Sequence, residues 1–179
     1  MRGLCCFFAL TAALLPARLH AVTVVPMTFE QLVSESAAVV YARVAGVRGQ
    51  WTGDRRAIDS VITLEALQYF KGDLGAAVSM RLPGGEAGGV RNVIPGGPVV
   101  REGELVVLFL KSRGPALLTT LGLTQGLFRV ARDPRSGTMR VTPPPLKESP
   151  AGRILRGAAD RRNLSLIEFG TTVREMSAR

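Results

Sequence analysis

Cysteine and histidine are almost absent from this chain. Of its 179 residues only Cys5, Cys6 and His20 are of either type, and all three fall within the first 21 positions. That segment reads as a removable export signal. Met1 and Arg2 supply a positive start, Leu4 to Leu15 an apolar run, and Pro16 interrupts it. Leu19-His20-Ala21 then ends on a small residue suited to cleavage. The run is about a dozen residues long, against the roughly 20 a spanning helix needs, so it is read as a signal and not as an anchor. Cys5 and Cys6 lie before or within it, not after it where the modified cysteine of a lipoprotein would stand. With residues 1–21 removed, the working chain has neither thiol nor imidazole. That excludes disulfides, most nucleophile–base dyads and triads, and the usual zinc and haem ligand sets. No catalytic residue, metal or cofactor is assigned, and the product is expected in the periplasm or the medium, with no membrane span after the signal.

Cleavage after Ala21 takes the chain from 179 residues to 158, a length suited to one domain (22–179) with a core held by packing alone. The net charge of +9 falls to +7, because Arg2 and Arg18 leave with no acid. Lysine is scarce: 20 of the 23 basic residues are arginine. Genome base composition produces such a skew as readily as phosphate recognition does, so charge alone does not argue for nucleic acid.

Thr28-Phe-Glu-Gln31 has the form of a capping box and predicts a short first helix. Strands are expected at Val39–Val47, with Arg43 toward solvent, at Ile58–Phe70 and at Val78–Leu82. The second carries apolar residues on both parities, which predicts cover on two sides or a bend at a bulge. Residues 83–98 hold six glycines and two Pro-Gly-Gly segments, a composition that no helix or long strand survives. Leu105–Leu110, the most apolar run of the mature chain, is expected as the central strand. Further strands follow at 117–121, 126–131 and 138–142, with a hairpin loop at 133–137. Pro143-Pro-Pro145 ends the sheet region, residues 146–162 read as loosely ordered, and Ser165-Leu-Ile-Glu168 opens a closing helix at about 163–177.

The order of helix, Ala37-Ala-Val-Val-Tyr-Ala-Arg-Val, a tryptophan-bearing loop, a long strand ending Phe70-Lys-Gly, a Pro-Gly-Gly loop and Gly103-Glu-Leu-Val-Val-Leu-Phe-Leu resembles a group of uncharacterised exported bacterial proteins. Their strand pattern is similar to the netrin-like domain of tissue inhibitors of metalloproteases, an OB-type barrel. The resemblance spans about residues 28–131. It implies a mainly β, OB-like small barrel of about six strands with a short N-terminal and a C-terminal helix. Those inhibitors chelate the protease zinc through an N-terminal cysteine. Here the mature chain would begin at Val22 and no cysteine follows, so that mode of inhibition is not carried over.

Several residue groups invite chemistry. Glu102 and Glu104 form a close carboxylate pair, but they flank Gly103 in an expected turn. Asp54 and Asp59 flank a hairpin connection and lack the further oxygens of a calcium site. Ser60, Ser79 and Ser112 have no histidine to activate them, leaving a Ser-Lys arrangement with Lys71, Lys111 or Lys147 that no spacing singles out. Neither Pro-Gly-Gly segment is followed by the Lys-Ser/Thr of a phosphate loop. Arg153, Arg156, Arg161 and Arg162 read as a solvated connection. The most informative group is Arg48, Trp51, Arg55 and Arg56, which crowd the expected loop between the first two strands. An aromatic among guanidinium groups stacks on a base or sugar, or anchors a protein partner; the ordinary alternative has Trp51 capping one barrel end while the arginines stay hydrated. The reading put first is an exported non-catalytic domain that binds another protein, an extracellular enzyme among the candidates. The second is a binder of single-stranded nucleic acid or acidic glycan. The third is a carboxylate-only hydrolase, which requires Glu86, Glu102 or Glu104 to face one another across a cleft.

Overall fold

A computed structural model describes residues 26–112, 114, 117–144 and 163–179. Residues 1–21, read as an export signal, and the Arg153–Arg162 cluster lie outside the described residues. Both helices begin where their capping boxes stand. Thr28 Oγ1 accepts from the Gln31 amide at 3.1 Å, and the Gln31 side chain accepts from the Thr28 amide at 2.8 Å, opening α1 (Phe29–Glu35). Ser165 and Glu168 repeat the exchange at α2 (Leu166–Ser177). Each box satisfies amides that the first helical turn leaves without intrahelical partners.

Ten strands lie between and beside these helices: β1 (Ala38–Trp51), β2 (Ile58–Lys71), β3 (Ala77–Pro83), β4 (Gly85–Ala87), β5 (Val90–Asn92), β6 (Leu105–Ser112), β7 (Leu118–Thr120), β8 (Leu127–Arg132), β9 (Met139–Thr142) and β10 (Leu164–Ser165). All but β4 and β5, which form a small hairpin of their own, join one antiparallel sheet in the order β10-β9-β8-β6-β1-β2-β3, with β7 added to β6. The protein is therefore mainly β, with a short N-terminal helix and a C-terminal helix. A closed barrel of about six strands is not what forms among the described residues. The sheet is longer and curls until β3 lies against β7, but no ladder joins those two edges.

The apolar run Leu105–Leu110 does become the middle strand, β6, and alternation divides it between two cores. Val107 and Phe109 face one, and Val106, Leu108 and Leu110 face the other. Under the helices, every phenylalanine among the described residues joins a single cluster: Phe29, Phe70, Phe109, Phe128 and Phe169, with neighbouring centroids 5.4–6.2 Å apart and mostly edge-to-face. The other cluster lies inside the curl, built from Val40, Ala42, Val44, Ile62, Leu64, Met80 and their neighbours.

Bulges let the two long strands serve both cores. Leu67 and Phe70 of β2 and Ala45 of β1 have no residue opposite them in the ladder. Before Leu67 the even-numbered Ile62, Leu64 and Ala66 face the inner cluster. After it, Tyr69 takes the inner side and Phe70 turns to the phenylalanines. Lys71, at the end of β2, donates to the Val33 and Ser34 carbonyls at 2.6 and 3.1 Å, so a cation from the sheet satisfies the exposed C-terminus of α1.

Candidate functional site

Past the reach of β6, strands β1 and β2 continue as a ribbon, Gly46–Trp51 paired with Ile58–Thr63, with β3 alongside Ser60–Thr63. Two of the four residues singled out in the sequence are thus in a strand, not a loop. Val47, Gly49 and Trp51 share the inner face with Ile62, Ser60 and Ile58 opposite them. Arg48 and Gln50 occupy the outer face with Val61 and Asp59. Strand alternation separates positions three apart, so Arg48 does not join Trp51. Arg48 instead lies in a row with Val61 and Arg81 of β3. Arg55 and Arg56 fall in the tight connection that follows Trp51 in the hairpin.

That connection is organised by Thr52 and Asp54. Thr52 Oγ1 donates to Asp54 Oδ1 at 2.6 Å, the Arg56 amide donates to the same oxygen at 3.2 Å, and Thr52 and Ala57 close the loop through their backbones. Arg55 takes a left-handed conformation with φ 55° at the tip. The Thr52 hydroxyl and the Arg56 amide stabilise the Asp54 carboxylate, and its pKa falls below the usual 3.8. Asp133, in the β8–β9 loop, is lowered likewise by the Arg135 amide and by Arg140. Because the folded-state values are the depressed ones, this support is complete above the ordinary carboxylate pKa and is lost as pH falls through the lower, folded value. An NMR titration of the two side-chain carboxyl carbons is expected to give midpoints below 3.8 for both, and substitution of Thr52 by Val is expected to raise that of Asp54 alone.

The β4–β5 hairpin lies across the inner face of the ribbon at very close range. A β-carbon on Gly49 would fall 1.8 Å from the Glu86 carbonyl oxygen, and one on Gly85 would fall 2.6 Å from Ser60 Oγ. Only glycine permits backbone to meet the ribbon this way. Ser60 Oγ donates to the Gly84 carbonyl at 2.7 Å, pinning the base of the hairpin. The Trp51 indole leans toward the tip, its Nε1 3.9 Å from where a Gly88 β-carbon would stand, while 37% of the residue stays exposed.

Between ribbon and hairpin the glycine-rich segment encloses a cavity of about 130 Å³, open to solvent on one side. Its walls are mostly apolar, with Val47, Ile62, Leu82, Ile94, Pro98 and Val100 prominent, and Arg91 and Asn92 supply polar groups. In its lining Val47, Val93 and Val99 remain exposed, as do Val90 on β5 and Trp51 at the end of β1. Sequence reading missed this surface because its parts lie up to 53 positions apart, from Val47 to Val100.

The remaining candidates are dispersed. Glu104 is held by Arg129 at 2.9 Å and Arg101 at 3.6 Å, a structural pairing where a hydrated turn residue was expected. Glu102 is exposed in the preceding turn, and Glu86 lies on β4. Lys71 serves α1 and Lys111 pairs with Glu35 at 3.7 Å, while Ser112 Oγ donates to Gly114. Lys147 lies outside the described residues. Among the described residues no three His, Cys, Asp or Glu side chains converge, and no helix is long and apolar enough to cross a membrane. Comparison with known protein families, curated proteins and solved structures finds no match to this chain.

Proposed function

We propose that this is an exported, non-catalytic binding domain that engages another protein, with an extracellular enzyme among the candidate partners, through the Trp51 end of the ribbon and the hairpin laid across it. The observation that carries the reading is the concavity lined by the exposed Val47, Val93 and Val99, with the exposed Trp51 farther along the same face of β1 as Val47. Scattered exposed apolar groups are ordinary on a folded surface; a group rimmed by charge marks a contact site, and tryptophan is a favoured anchor in such sites. Arg91 in the lining of the concavity, with Arg55 and Arg56 in the connection beyond Trp51, favours a partner with an acidic rim. Strands β7-β6-β1-β2-β3, curled until the outer two meet, support an OB-like barrel left open along one seam. Export to the periplasm or medium rests on the leader read from residues 1–21.

The test is affinity capture with the mature protein from culture of its own source, with Trp51→Ala as the matched control. A partner bound at least about tenfold more weakly by Trp51→Ala, with little loss on adding salt, is the expected outcome. Tight binding of a single-stranded oligonucleotide or acidic polysaccharide that collapses steeply with salt overturns it in favour of a polyanion ligand held by the arginines.

A further inference from the structure

We infer that the cavity between the ribbon and residues 91–100 is an anchor pocket for a C-terminal aliphatic residue of the partner, its side chain in the cavity and its carboxylate on Arg91. The inference rests on the partner-binding reading above and specifies what the partner presents. Size comes first. A void of about 130 Å³ holds one group the size of a leucine side chain; apolar cavities of about 150 Å³ take up benzene. Walls of Val47, Ile62, Leu82 and Val100 offer such a group dispersion contacts and no competing hydrogen bonds. The nearest hydroxyl, Ser60 Oγ, is already committed to the Gly84 carbonyl.

Charge then narrows the occupant. Arg91 lines the cavity and forms no ion pair among the described residues, although Glu86 is its cross-strand neighbour on β4. In the sheet Arg43, Arg129 and Arg140 are each matched to a carboxylate within 3.2 Å, whereas Arg48, Arg81 and Arg132, like Arg91, form no ion pair among the described residues; of these four only Arg91 lines the cavity. An exposed arginine without an ion pair at the edge of an apolar hollow suits a carboxylate close to the aliphatic group, the arrangement an α-carboxylate provides. Asn92, in the same wall, adds an amide to the polar side.

The probe is N-acetyl-leucine, titrated into methyl-labelled protein and compared with N-acetyl-leucinamide, which lacks the charge. Saturable shifts of the Val47, Ile62, Leu82 and Val100 methyl signals are expected, with the amide at least about tenfold weaker. Arg91→Met should abolish the preference for the acid while leaving amide binding unchanged, and Val47→Phe should remove both by filling the hollow. Equal binding of acid and amide overturns the inference, as does an absence of shifts at these methyls. Tighter binding of an internal Leu-Asp dipeptide blocked at both ends than of N-acetyl-leucine also overturns it. Failure here combined with Trp51-dependent partner capture removes the pocket assignment alone, whereas pocket binding without any captured partner removes the reading it rests on.

Discussion

Phe169→Ala is expected to lower the thermal midpoint by about 10 °C or more. Phe169 is 2% exposed, and its ring centroid lies 5.4 Å from those of Phe29 and Phe128, 6.0 Å from Phe70 and 6.2 Å from Phe109. It joins α2 to α1 and to β2, β6 and β8 at once. Deleting a buried phenylalanine ring costs about 3–5 kcal/mol through lost transfer energy and the cavity left behind. At roughly 2–4 °C per kcal/mol for a chain of this size, that is a large displacement of the melting curve. Phe169→Leu, which keeps most of the volume, should lose much less. Circular dichroism melts of the two variants make the check, and a fall below about 3 °C for Phe169→Ala would contradict a packed ring cluster.

Gly49→Val is expected to lift the β4–β5 hairpin from the ribbon without unfolding the sheet. The obstacle it meets is the Glu86 carbonyl, with oxygen at 1.8 Å and carbon at 2.6 Å from the new β-carbon. Backbone cannot swing aside as a side-chain tip does, so the whole hairpin must shift, at a cost of about 1–3 kcal/mol. Trp51 is the only tryptophan in the chain and leans on this hairpin, which makes its fluorescence a direct reporter. Its emission should move to the red and residues 83–98 should become more readily cleaved by protease, while far-ultraviolet circular dichroism changes little. Unchanged emission and cleavage would show that Gly49 does not set the hairpin's seat. The same variant disturbs the cavity wall, so partner and N-acetyl-leucine binding should both weaken in it.

Much of the architecture was legible in residue order. The capping boxes at Thr28 and Ser165 start their helices where expected, and alternation in Val78–Leu82 marks β3. The unbroken apolar run at 105–110 marks a strand covered on both faces. Apolar residues on both parities of Ile58–Phe70 pointed to cover on two sides or to a bulge, and bulges fall at Leu67 and Phe70. The site was less legible. Arg48, Trp51, Arg55 and Arg56 looked like one cluster because they are close in sequence, yet continuation of β1 to Trp51 places Arg48 on the far face.

Local chemistry accounts for what could be read directly. Side-chain to backbone capping and a period of two in strands each depend on residues a few positions apart, and the confinement of Cys5, Cys6 and His20 to the first 21 positions is read from residue order alone. The tertiary structure decided where the curled sheet stays open, which face each bulge turns a residue toward, and the hollow that puts Arg91 among valines. Those features arise from pairing register and from backbone crossing at Gly49, where segments distant in sequence come into contact; no short stretch of the chain encodes them by itself.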